Sequence, residues 1–168
     1  MKNIIHKVVV LILSFSNLTG AEEIIPLEIG NIWRYTNENG SYSISRVTGL
    51  TNIKNQDWYV YTEIDSTFFV QNTSDGQLEY WPDSDSIEHV LKYPKKKRTR
   101  YYDQFGLKTK VETITFSNSI LGITNGLFFD FSIETPSDNI KCLIVPGIGV
   151  VESYYGNETN FLVSYELK

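Results

Sequence analysis

The chain has 168 residues, a formal charge of −5, 41% hydrophobic residues and one cysteine. The acidic balance argues against nucleic acid as the main partner, because neutralising phosphates takes clustered Lys and Arg. A single cysteine excludes an internal disulfide, so packed side chains have to supply the stability, and no stretch approaches the roughly 20 apolar residues of a membrane-spanning helix.

Lys2 and Lys7, the apolar run Val8 to Phe15 and the small residues Thr19-Gly20-Ala21 have the layout of a secretory signal peptide cut after Ala21. This assigns 1–21 to export and 22–168 to a single β-rich domain, secreted or periplasmic. Pro26, Gly30, Trp33 and Tyr35 open that domain, with Gly30 expected at positive φ to set up the strand carrying Trp33 and Tyr35. A turn at Asn39-Gly40, an alternating run from Tyr42 to Leu50, a turn at Asn55-Gln56-Asp57 and an aromatic run from Trp58 to Tyr61 follow. Beyond the turn Ser74-Asp75-Gly76, short helical turns are expected at Ser84 to Val90 and around Ile120, with His89 on a surface turn.

Tyr101 follows Pro94 at the spacing at which Trp33 follows Pro26. An alternating run Lys108 to Phe116, a turn at Asn125-Gly126 and an aromatic run Phe128 to Phe131 come next. The two series are offset by about 68 residues, which suggests half-repeats 22–90 and 91–168. Cys142 lies in an apolar run and reads as a buried, inert thiol. Pro146-Gly147-Ile148-Gly149-Val150-Val151 reads as a tight kink between apolar strands, Gly156-Asn157 as a turn, and Phe161 to Leu167 as a closing alternating strand. The fold expected is all-β: an antiparallel meander of about eight to ten strands in a curved sheet, as an open or closed barrel or alternatively a β-sandwich.

The two Pro-led and Gly-led segments carry a resemblance. Pro26-x-x-x-Gly30-x-x-Trp33-x-Tyr35 after a signal peptide, and the late Pro146-Gly147-Ile148-Gly149-Val150-Val151, resemble a group of secreted bacterial proteins of unknown function. There the late motif usually reads Ala-Pro-Gly-Val-Gly-Leu-Val, so Val145, Ile148 and Val150 are exchanges, and the copy at Pro94 has Arg98 and Tyr101 in place of Gly and Trp. The resemblance implies an extracytoplasmic, β-rich domain and carries over no catalytic residue.

Catalytic signatures are absent from the sequence. Outside the signal segment His89 is the one histidine, and no Gly-x-Ser-x-Gly elbow accompanies it. A carboxylate pair such as Asp130 with Glu63 or Glu134 would suit a hydrolase if the two met in space. Asp83 and Asp85 begin like a calcium loop, but Glu88 stands where its Gly belongs and Pro94 where its Glu belongs. No metal or cofactor is expected. Lys95 to Arg100 is a basic run that reads as a guarded edge strand or as a contact for anionic headgroups, glycans or an acidic partner. Aromatics fall on both faces of some strands, which points to either two covering layers or a lined cavity. The expected function is non-enzymatic binding of a lipid or other apolar ligand by Trp58, Tyr59, Tyr61, Phe128, Phe129 and Phe131. A structural or surface-interaction domain for protein or glycan, and a carboxylate-dependent hydrolase, are the alternatives.

Overall fold

The computed structural model describes residues 23–95, 98–102, 108–132 and 140–168. The signal-peptide segment, Glu134, Lys96 and Lys97 lie outside the described residues. The first half of the chain supplies β1 (Ile32–Asn37), β2 (Tyr42–Ile53), β3 (Gln56–Glu63), β4 (Ser66–Thr73), β5 (Gly76–Trp81) and β6 (Ser86–Lys92). The second supplies β7 (Arg98–Tyr102), β8 (Lys108–Asn118), β9 (Gly122–Ser132), β10 (Ile140–Val145), β11 (Gly149–Tyr155) and β12 (Glu158–Glu166). All twelve form one antiparallel sheet in the order β6-β5-β4-β3-β2-β1-β12-β11-β10-β9-β8-β7. The all-β meander is as expected, with twelve strands among the described residues rather than eight to ten.

Each half is a six-stranded meander, and the two join where β1 pairs with β12. The edges, β6 and β7, are consecutive in sequence. Laid flat, twelve strands would span about 50 Å, whereas the chain from Lys92 to Arg98 reaches at most about 20 Å. The sheet therefore curls until its edges meet. They meet through side chains: the Tyr101 hydroxyl reaches the Val90 carbonyl at 3.5 Å, and Lys92 Nζ stands 5.0 Å over the Tyr101 ring. Among the described residues no ladder joins β6 to β7, so the sheet is not closed by hydrogen bonds.

The segment Glu23 to Leu27 plugs one end. Ile24, Ile25 and Leu27 are buried in the main core with Trp33, Val47, Phe129 and Val151. Gly147 N–H donates to the Glu23 carbonyl at 2.8 Å, and Asn72 Nδ2 donates to the Ile25 carbonyl at 2.8 Å. The plug thus bridges the β10–β11 turn to β4. Gly30 has φ +98°, as expected, and its N–H donates to Val47. The neighbouring Asn31 is buried because its amide donates to Pro26 and its oxygen accepts the Lys168 N–H at 2.8 Å.

Three local expectations change. Ser84 to Val90 forms no helical turn, because Ser86–Lys92 is strand β6, and His89 is therefore a strand residue. Asn125-Gly126 forms no turn but lies inside β9, and the hairpin turns instead just before Gly122. Glycine is needed at 126 because a Cβ there would stand 2.8 Å from both the Ile144 carbonyl and the Phe116 ring.

Candidate functional site

The interior face follows from the register, since directly opposed residues of antiparallel strands share a face. Ser45 opposes Glu63, Val47 opposes Tyr61, Tyr61 opposes Phe68, and Tyr59 opposes Val70. Further along, Val70 opposes Glu79, and Glu79 opposes Glu88. One face of β2 to β6 therefore carries aromatic, carboxyl and amide groups together.

Two cavities open on this face. The larger, about 360 Å³, is lined by Tyr35, Tyr61, Glu63, Cys142, Val150 and Ser153 among others. Its rim is formed at the unplugged end by Ser41, Tyr42, Ile64 and Glu158, with Tyr42 and Ile64 largely exposed. The smaller, about 190 Å³, is lined by Ile25, Tyr61, Glu63, Phe68, Val70, Gln77, Glu79 and Val150. Tyr61, Glu63 and Val150 border both, so the two are neighbouring chambers that run from the rim to the plug.

The lining is amphipathic. Ile25, Phe68, Val70 and Val150 supply an apolar side. Opposite in character, Gln77 is 4% exposed, and its Nε2 has no hydrogen-bond partner among the described residues. A buried donor left unpaired costs about 1–3 kcal/mol unless something in the cavity accepts from it. Burial raises the Glu79 carboxyl to about 7, with the Glu88 charge adding to the effect, and burial also raises Glu63. The phenols of Tyr35 and Tyr61 are raised by burial and then by neighbouring charge, which keeps both as donors. Near neutral pH these groups present hydrogen-bond donors as well as acceptors.

The six aromatics expected to bind ligand divide between the faces. Tyr59 and Tyr61 lie on the interior face, and Tyr61 lines both chambers. Phe129 opposes the cavity-lining Cys142, and it stacks with Phe131 at 6.0 Å and 14°. Both phenylalanines lie on the interior face but line neither chamber, as core rather than cavity wall. Trp58 and Phe128 point the other way. Trp58 shares the outer face with Val60, Phe69 and Tyr80, and it is buried there under the Tyr80 ring, 6.1 Å away. Phe128 opposes Leu143 and Glu112. The signal missed by aromatic content was polar: Gln77, Glu79 and Glu88 occupy interior positions of β5 and β6.

The carboxylate pair of Asp130 with Glu63 does not form. Asp130 opposes Lys110 and Lys141 on the face opposite Phe129, while Glu63 faces the interior. Asp85 is engaged by Lys54 at 2.8 Å and by the Tyr80 hydroxyl at 3.0 Å, which lower its pKa. Burial pushes the Cys142 thiol up to about 12.

The structural motifs meet in space. Trp33 Nε1 donates to the Ile148 carbonyl at 2.5 Å, and Tyr35 Oη donates to Val150 at 3.1 Å. A Cβ on Gly149 would stand 3.1 Å from Trp33 Nε1, and Gly149 has φ +110°. Trp33 and Tyr35 of the first motif thus clasp the turn that carries Pro146, Gly147 and Gly149.

Fold and cavity define an all-β protein whose single curled sheet encloses an amphipathic, plugged interior. No family model matches the chain, and no curated protein matches it. Two solved structures resemble it. A candidate exported protein of Bacteroides fragilis with a YmcC-like fold has a TM-score of 0.46 and 14% identity, covering 87% of this chain and 100% of that one. A candidate lipoprotein of Parabacteroides distasonis has a TM-score of 0.45 and 13% identity, covering 87% of this chain and 99% of that one. Among the described residues no helix is long and apolar enough to cross a membrane.

Proposed function

We propose that this is an extracytoplasmic binding module that works without catalysis, and that its interior takes a small amphipathic molecule. The apolar part of the ligand lies against Ile25, Phe68, Val70 and Val150. Its polar end accepts from Gln77 Nε2 and exchanges hydrogen bonds with Tyr61, Glu63 and Glu79. The observation that carries this reading is the buried Gln77 Nε2, unpaired among the described residues, on the wall of an amphipathic chamber that a second chamber joins to the rim. The signal-peptide layout at 1–21 and the resemblance of the Pro26 and Pro146 motifs to secreted bacterial proteins support an extracytoplasmic location.

Native mass spectrometry of the protein purified from its own source tests the proposal. A bound small molecule that leaves only on denaturation, and is reduced in Gln77→Leu, is the expected result. A bare polypeptide mass in both proteins overturns it and leaves the alternative of a structural or surface-interaction domain.

A further inference from the structure

The curled sheet has two places where the first strand of one half lies beside the last strand of the other. At β1–β12 the strands are laddered, and Trp33 fills the corner against the β10–β11 turn. At β7–β6 no ladder forms among the described residues, and Tyr101 stands near the β4–β5 turn instead. There Tyr93 N–H donates to the Asp75 carbonyl at 3.0 Å. The smaller side chain and the missing ladder leave a pocket of about 430 Å³, bordered by Asp75, His89, Lys92, Lys95, Arg100 and Tyr101.

Charge sets this pocket apart from the rest of the chain. The protein carries −5 overall, yet among the described residues three cations and one carboxylate border this pocket. None of the ion pairs among the described residues uses Lys92, Lys95 or Arg100. Lys92 comes from β6, Arg100 from β7 and Lys95 from the link, so the cations converge from both edges. Guarding an edge against aggregation needs charge on one strand, not convergence on a cavity. Stacking of Lys92 on the Tyr101 ring fixes one ammonium at the pocket wall. Burial lowers the His89 pKa and the Lys92 charge adds to that, with Asp75 opposing, so His89 enters as a neutral hydrogen-bonding partner.

From these features we infer that the β6–β7 seam is a binding site for a phosphate monoester. Two positive charges in excess of Asp75 match the charge of about −1.5 to −2 that a phosphate monoester carries near pH 7. The volume exceeds what a bare phosphate fills, and Tyr93, Pro94 and Tyr101 offer flat surfaces for the organic part. The guanidinium of Arg100 suits two phosphate oxygens at once, with Lys92 and Lys95 as point charges. This site is separate from the interior chambers, and the inference does not rest on their ligand.

Isothermal titration of the full chain with inorganic phosphate, phenyl phosphate and phenyl sulfate tests it, together with sedimentation on vesicles containing phosphatidic acid. Saturable binding of phenyl phosphate or of the vesicles is expected, with phenyl sulfate several-fold weaker than phenyl phosphate because it carries a single charge. Arg100→Gln and Lys95→Gln, both changes at solvated positions, should each weaken binding at least five-fold while leaving the unfolding midpoint unchanged. Binding of phenyl phosphate indicates a soluble monoester, and binding of vesicles alone indicates a lipid headgroup. No saturable binding by any phosphate probe, or binding undiminished in both variants, overturns the inference.

Discussion

Trp33 and Ile148, 115 residues apart in sequence, are joined by a hydrogen bond from the indole N–H to the backbone carbonyl. Trp33 is 1% exposed, so its indole is shielded from water and also fills the corner between plug and sheet. Trp33→Phe keeps most of the packing and strands the Ile148 carbonyl, which costs about 1–3 kcal/mol. Trp33→Ala adds a cavity and costs about 3–5 kcal/mol. Urea unfolding at fixed pH measures both; a Phe variant as stable as the parent would show that the hydrogen bond contributes nothing net.

Three glycines at positive φ form a graded series. At Gly76 a Cβ would stand 2.0 Å from the Leu91 carbonyl oxygen, at Gly149 it would press on Trp33, and at Gly40 it would meet nothing within 4 Å. Alanine at Gly40 pays only the left-handed backbone cost, about 1 kcal/mol. Alanine at Gly149 adds a displaced indole, and alanine at Gly76 forces β5 and β6 apart. The expected order of destabilisation is Gly76→Ala, then Gly149→Ala, then Gly40→Ala. Thermal melts that place Gly40→Ala lowest in stability would contradict the reading of these turns.

Stability should fall as pH rises through the range in which Glu79 titrates. A carboxyl whose pKa is higher folded than unfolded binds its proton more tightly in the native state. Its contribution is complete below the unfolded value of 4.5 and is lost as pH rises to about 7. A fully dry site would make this about 3 kcal/mol, and partial solvent screening reduces it to about 1–2 kcal/mol. Glu63, raised in the same direction, adds to the trend. Chemical denaturation of the parent and of Glu79→Gln at pH 4.5 and pH 7.5 is the measurement. The Gln variant should lose less stability between the two pH values than the parent.

Cys142 should be silent in the folded protein. Its thiol is buried and raised to about 12, so little thiolate exists at pH 8. Maleimide is expected to label it only after urea is added; rapid labelling of the native protein would mean that the larger chamber admits reagents of that size.

Much of the sheet was legible in the chain because period-two alternation survives wherever one face is apolar. Leu127 and Phe129, read as one apolar face, are both buried, whereas on β12 Leu162 is buried and Val163 exposed, opposite to the face the alternation suggests. The same logic failed at β6, where Glu88 faces inward and the alternation of apolar and polar residues is reversed. It failed at Gly126, whose residue type suggests a turn but whose role is close packing between β8 and β10. The clasp between the Pro26 and Pro146 motifs was legible as two motifs and not as one contact, because register across 115 residues is not written in either segment. Aromatic content named Tyr59, Tyr61, Phe129 and Phe131 together with Trp58 and Phe128, and did not tell which of the six face inward. It could not separate cavity wall from core, nor show that Trp58 packs outside under Tyr80.

The β1–β12 ladder has a consequence for how the chain reaches its fold. β1 is the first strand of the sheet in sequence and β12 the last, so the inner edge of β1 has no partner until β12 is available. Pairing over such a separation is slow, because nearly the whole chain must be ordered before the contact forms. Meanwhile the first meander, β1 to β6, has two open edges and an uncovered apolar face. The nascent protein is thus most vulnerable to aggregation in the interval between completing its first half and docking its final strand.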